Sequence, residues 1–235
     1  MSALRGDRAE IAPLKGIVFD CDGVMIDSRA ANAEFYNRIL RYFGLPPLTP
    51  EQEAYTYMAT ARQAMEYITP PELHGQLDYV CAHVVVYQRD IFPMLTLMPQ
   101  FREFADAMLR EGLRLGVNTN RVGGGMGRIL RRFDLEALFD PVVTADQAAP
   151  KPSPEGLELI LHRWACAPEE MLFVGDSPHD MAAAAAAGVR FAAFGNPGLR
   201  AGIAVASYAE LEDRVRSMLA VPPAGGMRAG QTAAC

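Results

Sequence analysis

Five short apolar runs, each stopped by a polar residue or glycine, constrain this chain more than any other feature. Gly16-Ile17-Val18-Phe19 ends at Asp20, and Leu113 to Val117 ends at Asn118-Thr119-Asn120. Val142-Val143 leads into Thr144-Ala145-Asp146, Met171 to Val174 into Gly175-Asp176-Ser177, and Arg190 to Phe194 into Gly195-Asn196-Pro197. A short continuous apolar run is the pattern of a strand buried on both faces, as in a parallel sheet. Helical segments lie between the runs. Phe101 to Arg110 repeats apolar residues at Phe101, Phe104, Ala105, Met108 and Leu109, a 3.6-residue period. Pro154 to Ala165 follows Ser153, which reads as an N-cap with proline at the first helical position. The alanine-rich stretch Met181 to Ala187 closes on Gly188, and Tyr208 to Leu219 is amphipathic. Strands alternating with helices predict an α/β fold with a Rossmann-like parallel sheet core flanked by helices.

The alternation lapses between Ser28 and Pro99, where helical periodicity appears without a convincing strand. Ala30–Phe43 reads as one helix, Glu51–Ile68 as one or two, and Leu73–Phe92 as another, although Val84-Val85-Val86 also fits a strand. The expectation is an inserted small α-helical cap domain at 29–97, a core built from 14–28 and 98–220, and flexible tails at 1–13 and 221–235. With 235 residues, of which 50% are hydrophobic and 21% charged, the chain has the composition of a folded globular protein. A net charge of −6 argues against nucleic acid as a partner, since that needs a basic face. No signal peptide and no apolar run long enough to span a membrane is visible, so no membrane partner is expected. Cys21, Cys81, Cys166 and Cys235 form no CxxC or Cys/His cluster, which excludes a zinc site and leaves a cytoplasmic setting as the expectation.

Ligands of an open parallel sheet bind outside the carboxyl ends of its strands. The residues found there are Asp20 and Asp22, Thr119 and Asn120, Lys151 just past the third strand, and Asp176 and Asp180. Lysine occurs at only two positions of the whole chain, Lys15 and Lys151; arginine supplies the other basic residues. Carboxylates crowded in a dry cleft repel one another, and a divalent cation removes that repulsion. Oxygen ligands without His or Cys favour magnesium over zinc. A lysine and a threonine hydroxyl suit the remaining oxygens of a phosphate. Any one of these features alone reads as a solvated turn, a cap or a surface residue. Their occurrence in order at successive strand ends points to phosphoryl transfer.

In this order the residues resemble the four motifs of the haloacid dehalogenase superfamily, in its phosphatase branch. Phe19-Asp20-Cys21-Asp22-Gly23-Val24-Met25-Ile26-Asp27-Ser28 is similar to the first motif, and Thr119-Asn120 to the second. Lys151-Pro152-Ser153-Pro154-Glu155 resembles the third, and Val174-Gly175-Asp176-Ser177-Pro178-His179-Asp180 the fourth. The helical insert is similar to the cap of phosphoglycolate-phosphatase-like and beta-phosphoglucomutase-like members. The resemblance implies that Asp20 is the nucleophile and a metal ligand. It makes Asp22 the general acid and base, with its backbone carbonyl on the metal. Thr119, Asn120 and Lys151 would bind the phosphate, and Asp176 would be the second carboxylate ligand. Asp180 would ligate, directly or through water, or orient Lys151, with Ser177 beside it. Mg2+ is the implied cofactor and a small phosphorylated metabolite the implied partner, for a monomer or homodimer. Arg62 and His74 in the cap, and Arg121 in the loop after the second motif, are substrate candidates.

Rival chemistries of the same superfamily fit less well. The similar dehalogenases lack the second aspartate, present here as Asp22. The similar phosphonate hydrolases use a cap lysine, and none lies between Lys15 and Lys151. The related sugar-phosphate mutases carry a histidine where Asn32 aligns. A non-catalytic binding module would be expected to lose a motif residue, and none is missing. Two further readings are negative. The run Gly123-Gly124-Gly125-Met126-Gly127 lacks the order of a nucleotide-binding loop and reads as a loop before the next helix. His179 reads as a surface residue and Cys21 as an inert packing residue.

Overall fold

The computed structural model describes residues 12–220. Of the tails expected at 1–13 and 221–235, residues 1–11 and 221–235 lie outside the described residues. The strands are β1 Gly16–Phe19, β2 Ile26–Asp27, β3 Thr96–Leu97, β4 Arg114–Asn118, β5 Val142–Val143, β6 Met171–Gly175, β7 Arg190–Phe194 and β8 Ile203–Val205. Six of them form one parallel sheet in the order β5-β4-β1-β6-β7-β8. All five apolar runs of the sequence are strands of this sheet. β8 was not expected, because three residues at a sheet edge carry too little pattern to separate them from a loop.

The helices are α1 Arg29–Tyr42, α2 Pro50–Met58, α3 Ala61–Ile68, α4 Leu77–Tyr79, α5 Tyr87–Asp90, α6 Phe101–Arg110, α7 Gly123–Arg132, α8 Glu155–Trp164, α9 Pro178–Ala187 and α10 Tyr208–Leu219. Alternate residues of the strands feed two cores, as the period of two demands. Ile17, Phe19, Leu115, Val117, Leu172 and Val174 join α6, α7 and α10 on one face. Val18 and Phe173 meet Leu157, Ile160, Trp164, Ala183 and Ala184 of α8 and α9 on the other. On the first face Phe19 stands edge-on to Phe101 and Phe104 with centroids 5.6 and 6.1 Å apart, and Tyr208 packs on both phenylalanines. On the second, the Trp164 ring covers Gly16, where a Cβ would lie 2.5 Å from it.

Several local expectations are corrected. The glycine run at 123–127 is not a loop but the first turns of α7; Met126, Ile129 and Leu130 bury its apolar stripe and offset the poor helix propensity of glycine. α8 begins one residue later than expected, at Glu155 behind Pro154, and the Ser153 hydroxyl accepts from Glu155 N–H at 3.3 Å at its start. Residues 73–92 do not make one helix. A 3-10 turn at Pro71–Gln76, α4, a wider turn at Val80–Val84 and α5 follow one another, and Val84-Val85-Val86 is not a strand. The β-branched valines there resist a continuous helix. A short strand does lie near the end of the insert: β3 pairs antiparallel with β2, Ile26 opposite Leu97 and Asp27 opposite Thr96. Met98 N–H donates to the Met25 carbonyl at 2.9 Å beyond the pair. The chain therefore leaves and re-enters the sheet domain through two adjacent strands.

The loop after β1 is anchored from the far end of the chain. Buried Tyr208 of α10 donates its hydroxyl to the Val24 carbonyl at 2.7 Å. Tyr208→Phe leaves that carbonyl buried without a partner, so unfolding free energy from urea titration should fall by about 1–3 kcal/mol.

Candidate active site

The sheet order reverses around β1: the chain runs outward to β4 and β5, then crosses to β6, β7 and β8. The crevice at such a reversal is the expected ligand site. Phe19 pairs with Val117 of β4 on one side and Val174 of β6 on the other. Asp20, Thr119 and Asp176, each just past a strand end, thereby come together. Asp20 N–H continues the ladder to the Val174 carbonyl at 2.9 Å, and Thr119 N–H to the Val143 carbonyl at 3.0 Å.

Lys151 is the centre of the site. Its ammonium lies 2.6 Å from Asp20 Oδ1 and 2.6 Å from Asp180 Oδ1, and all three residues are buried. Burial opposes its charge, but Asp180 and Asp20 outweigh it and hold its pKa above the ordinary value. The loop that carries Lys151 is tied down by Asn120. The Asn120 side-chain oxygen accepts from Lys151 N–H at 2.8 Å, and its amide donates to the carbonyls of Lys151 and Met58 at 3.3 Å each. Asn120, a phosphate-binding candidate, lines the cavity, and its side chain holds the lysine loop and touches the end of α2. Thr119 Oγ1 accepts from Arg121 N–H at 3.1 Å, which leaves its own hydrogen available to a ligand.

Asp180 belongs both to this ion cluster and to the start of α9. Its Oδ2 accepts from Ser177 N–H at 3.0 Å and from the Ser177 hydroxyl at 2.5 Å, in a capping box that begins the helix. Of the roles open to Asp180, the structure displays the orientation of Lys151. Asp176 differs: no protein donor reaches its carboxylate among the described residues. Its main-chain carbonyl accepts from Asn196 at 2.7 Å. Asp20, Asp176 and Asp180 can place one oxygen each within 4.8 Å of one another. Burial, joined by the Asp180 and Asp22 charges and opposed by Lys151, pushes Asp20 up to about 7. Burial and the neighbouring Asp20 push Asp176 up to about 8. Two proton-hungry carboxylates with hard oxygen donors fit a divalent cation. Gly23 makes the approach possible: its φ is +75°, and a side chain there would collide with Asp176 and the Tyr57 hydroxyl.

Asp22 points away from this cluster. Arg121 Nε and Nη2 donate to its two oxygens at 2.7 and 2.6 Å. Burial raises the Asp22 pKa, but the arginine outweighs burial and the net position is below the usual value. Arg121 therefore lines the cavity while paired with Asp22, and its Nη1 also donates to the Tyr87 hydroxyl of α5 at 3.1 Å. Of the cap candidates, Arg62 borders the cavity but is paired with Glu66 at 2.5 Å and Asp78 at 3.0 Å. His74 does not border it. Its Nε2 lies 3.1 Å from the carbonyls of Glu66 and Thr69 and closes the end of α3. His179, expected on the surface, is half-buried and borders the cavity. Cys21 is buried as expected, and burial pushes its thiol up. Tyr57 and Tyr87 were missed: a tyrosine at a helical position carries no signal for the contact it makes across the fold.

The haloacid dehalogenase-like hydrolase family matches residues 17–194. The chain belongs to it. Phosphoglycolate phosphatase of Cereibacter sphaeroides is 29% identical over 186 residues, 77% of this chain and 85% of that protein. Phosphoglycolate phosphatase of Escherichia coli K12 is 28% identical over 199 residues, 74% of this chain and 79% of that protein. A crystal structure of a subfamily IA hydrolase of the superfamily, from Geobacter sulfurreducens, superposes with a TM-score of 0.69 at 35% identity. It covers 86% of this chain and 96% of that one. No helix among the described residues is long and apolar enough to cross a membrane.

The raised carboxylates predict a pH effect with a definite sign. Asp20 and Asp176 keep protons in the folded state to about 7 and 8, against 3.8 for the free side chain. Between those limits the metal-free folded state binds more protons than the unfolded one, so its stability falls as pH rises. A cation that replaces those protons adds most where they are lost. The gain in Tm from about 10 mM divalent cation should be clearly larger at about pH 8 than at about pH 5.5 in thermal melts.

Proposed function

We propose that the chain is a magnesium-dependent phosphatase that hydrolyses a small phosphate monoester through an aspartyl-phosphate on Asp20. The observation that carries this reading is Asp20 itself, buried at the end of the central strand, held by Lys151 and facing Asp176. Phosphatases at 28–29% identity over most of the chain support it.

In the first half-reaction an Asp20 oxygen attacks phosphorus as the bond to the leaving oxygen breaks, and Asp22 gives that oxygen a proton. In the second, Asp22 takes a proton from the water that attacks the phosphoryl group, which restores Asp20. Lys151 and the Thr119 hydroxyl balance charge on the phosphoryl oxygens. Asp22 has to leave Arg121 to reach the leaving oxygen, because a carboxylate in a bidentate arginine pair has no proton to give. Asp20, Asp176 and the Asp22 main-chain carbonyl would hold Mg2+, which when bound supplies positive charge to the carboxylates and the phosphate together.

Residues 29–97 act in this reading as a cap over the core of 14–28 and 98–220. The support is that both connections run through the β2–β3 pair, while Met58 and Tyr87 of the insert reach Asn120 and Arg121 at the strand ends. Asn32 borders the cavity where the related mutases carry a histidine, which favours hydrolysis.

Asp20→Asn preserves shape and removes the nucleophile. Phosphate release from 4-nitrophenyl phosphate should fall by about a thousandfold or more, with an unchanged circular-dichroism spectrum. Chelation of wild-type protein should abolish turnover and added Mg2+ should restore it. Near-wild-type turnover in Asp20→Asn, or full activity in chelator, contradicts the proposal.

A further inference from the structure

We infer that the leaving group of the substrate is a bulky, uncharged alcohol with an aromatic or otherwise apolar face, rather than a short carboxylic acid. This rests on the phosphatase reading and adds the substrate class to it. The first observation is space. The cavity between the strand ends and the insert has a volume of about 590 Å3. An apolar cavity of about 150 Å3 already encloses a benzene ring. A phosphoryl group and a two-carbon acid leave most of this volume to water.

The second observation is the chemistry of the wall. Phe35 and Tyr36 of α1, Tyr87 of α5, Met65 of α3 and Cys81 form a continuous apolar side facing the phosphate end. Phe35 packs edge-on to Tyr36 and to Tyr87 with centroids 5.1 and 5.4 Å apart, so the rings hold one another in place. Fixed aromatic faces of this kind bind planar or apolar groups.

The third observation is the charge inventory. A carboxylate in the leaving group needs a cation inside the cavity. Lys151 is taken by Asp20 and Asp180 and Arg62 by Glu66 and Asp78, while Arg121 is held by both oxygens of Asp22 until Asp22 turns to the leaving oxygen. Arg128 lines the cavity as an exposed residue, where water screens its charge. A carboxylate bound beside the phosphate would instead lie near Asp22 and Asp176, which line the cavity there. The relatives at 28–29% identity are named for a phosphorylated two-carbon acid, so identity at that level leaves room for a different leaving group.

The test compares benzyl phosphate with 2-phosphoglycolate on the full chain with Mg2+. Both are phosphates of primary alcohols, so the chemical step is similar and binding decides. Benzyl phosphate should have at least about a tenfold higher kcat/KM, the effect of one good apolar contact set. Asn32→Phe and Cys81→Phe push a ring into the cavity from two different elements, and each should lower that ratio severalfold. 4-Nitrophenyl phosphate is the control for the parent reading. Turnover of it with a wild-type ratio below ten overturns this inference and leaves the phosphatase standing. No turnover of any of the three overturns both. A preference that survives unchanged in both folded variants overturns its assignment to this cavity.

Discussion

Lys151 sits between Asp20 and Asp180 at 2.6 Å from each, with almost no access to water. Ions of that size lose several kcal/mol on burial, and only close, well-directed partners recover it. The surrounding structure supplies that direction. Asn120 fixes the main chain of the lysine, Ser177 fixes the second oxygen of Asp180, and the strand ladder fixes Asp20. The same capping box that starts α9 therefore orients the cation of the site. Helix formation and site assembly share one carboxylate, so a change at Asp180 cannot affect one without the other.

A second ion pair lies where the strand ends meet the insert. Arg121 binds Asp22 with two nitrogens and turns its third toward Tyr87 of the insert. Asp22, two positions beyond Asp20, is thus in indirect contact with the helical segment through one guanidinium. Asp22 and Asp20 occupy opposite electrostatic settings although one residue separates them. Burial raises Asp20, whereas an arginine holds Asp22 down. This order is the reverse of what an ionised nucleophile and a protonated carrier need, so a cation beside Asp20 and release of Asp22 from Arg121 would both have to act before the chemistry proposed for them.

The sheet and its edge were legible in the sequence because the relevant signals are local. An apolar run of four or five residues cannot be satisfied except by burial on both faces, and the polar residue that ends it marks the strand end. The order of Asp20, Thr119, Lys151 and Asp176 along the chain then names the residues at one edge before any coordinates are known. What stayed hidden depends on long-range geometry. The partner of Arg121 lies ninety-nine positions away, and Tyr87 meets it only because a broken helical segment turns it inward. His74 and Arg62 look alike as candidates in sequence, yet one closes a helix end and the other forms surface ion pairs. β2, β3 and β8 are two or three residues long, too short for any periodicity to show.

The pairing of β2 with β3 has a consequence for how the chain can change. The two ends of the insert lie side by side, so the parallel sheet experiences the whole segment as one closed surface loop. The entropy of closing such a loop grows only with the logarithm of its length, about 0.6 kcal/mol for each doubling. On that entropic ground the segment can be lengthened, shortened or exchanged for another at little cost to the sheet that carries Asp20. Selection can rewrite the insert's side of the cavity while the residues at the strand ends stay as they are.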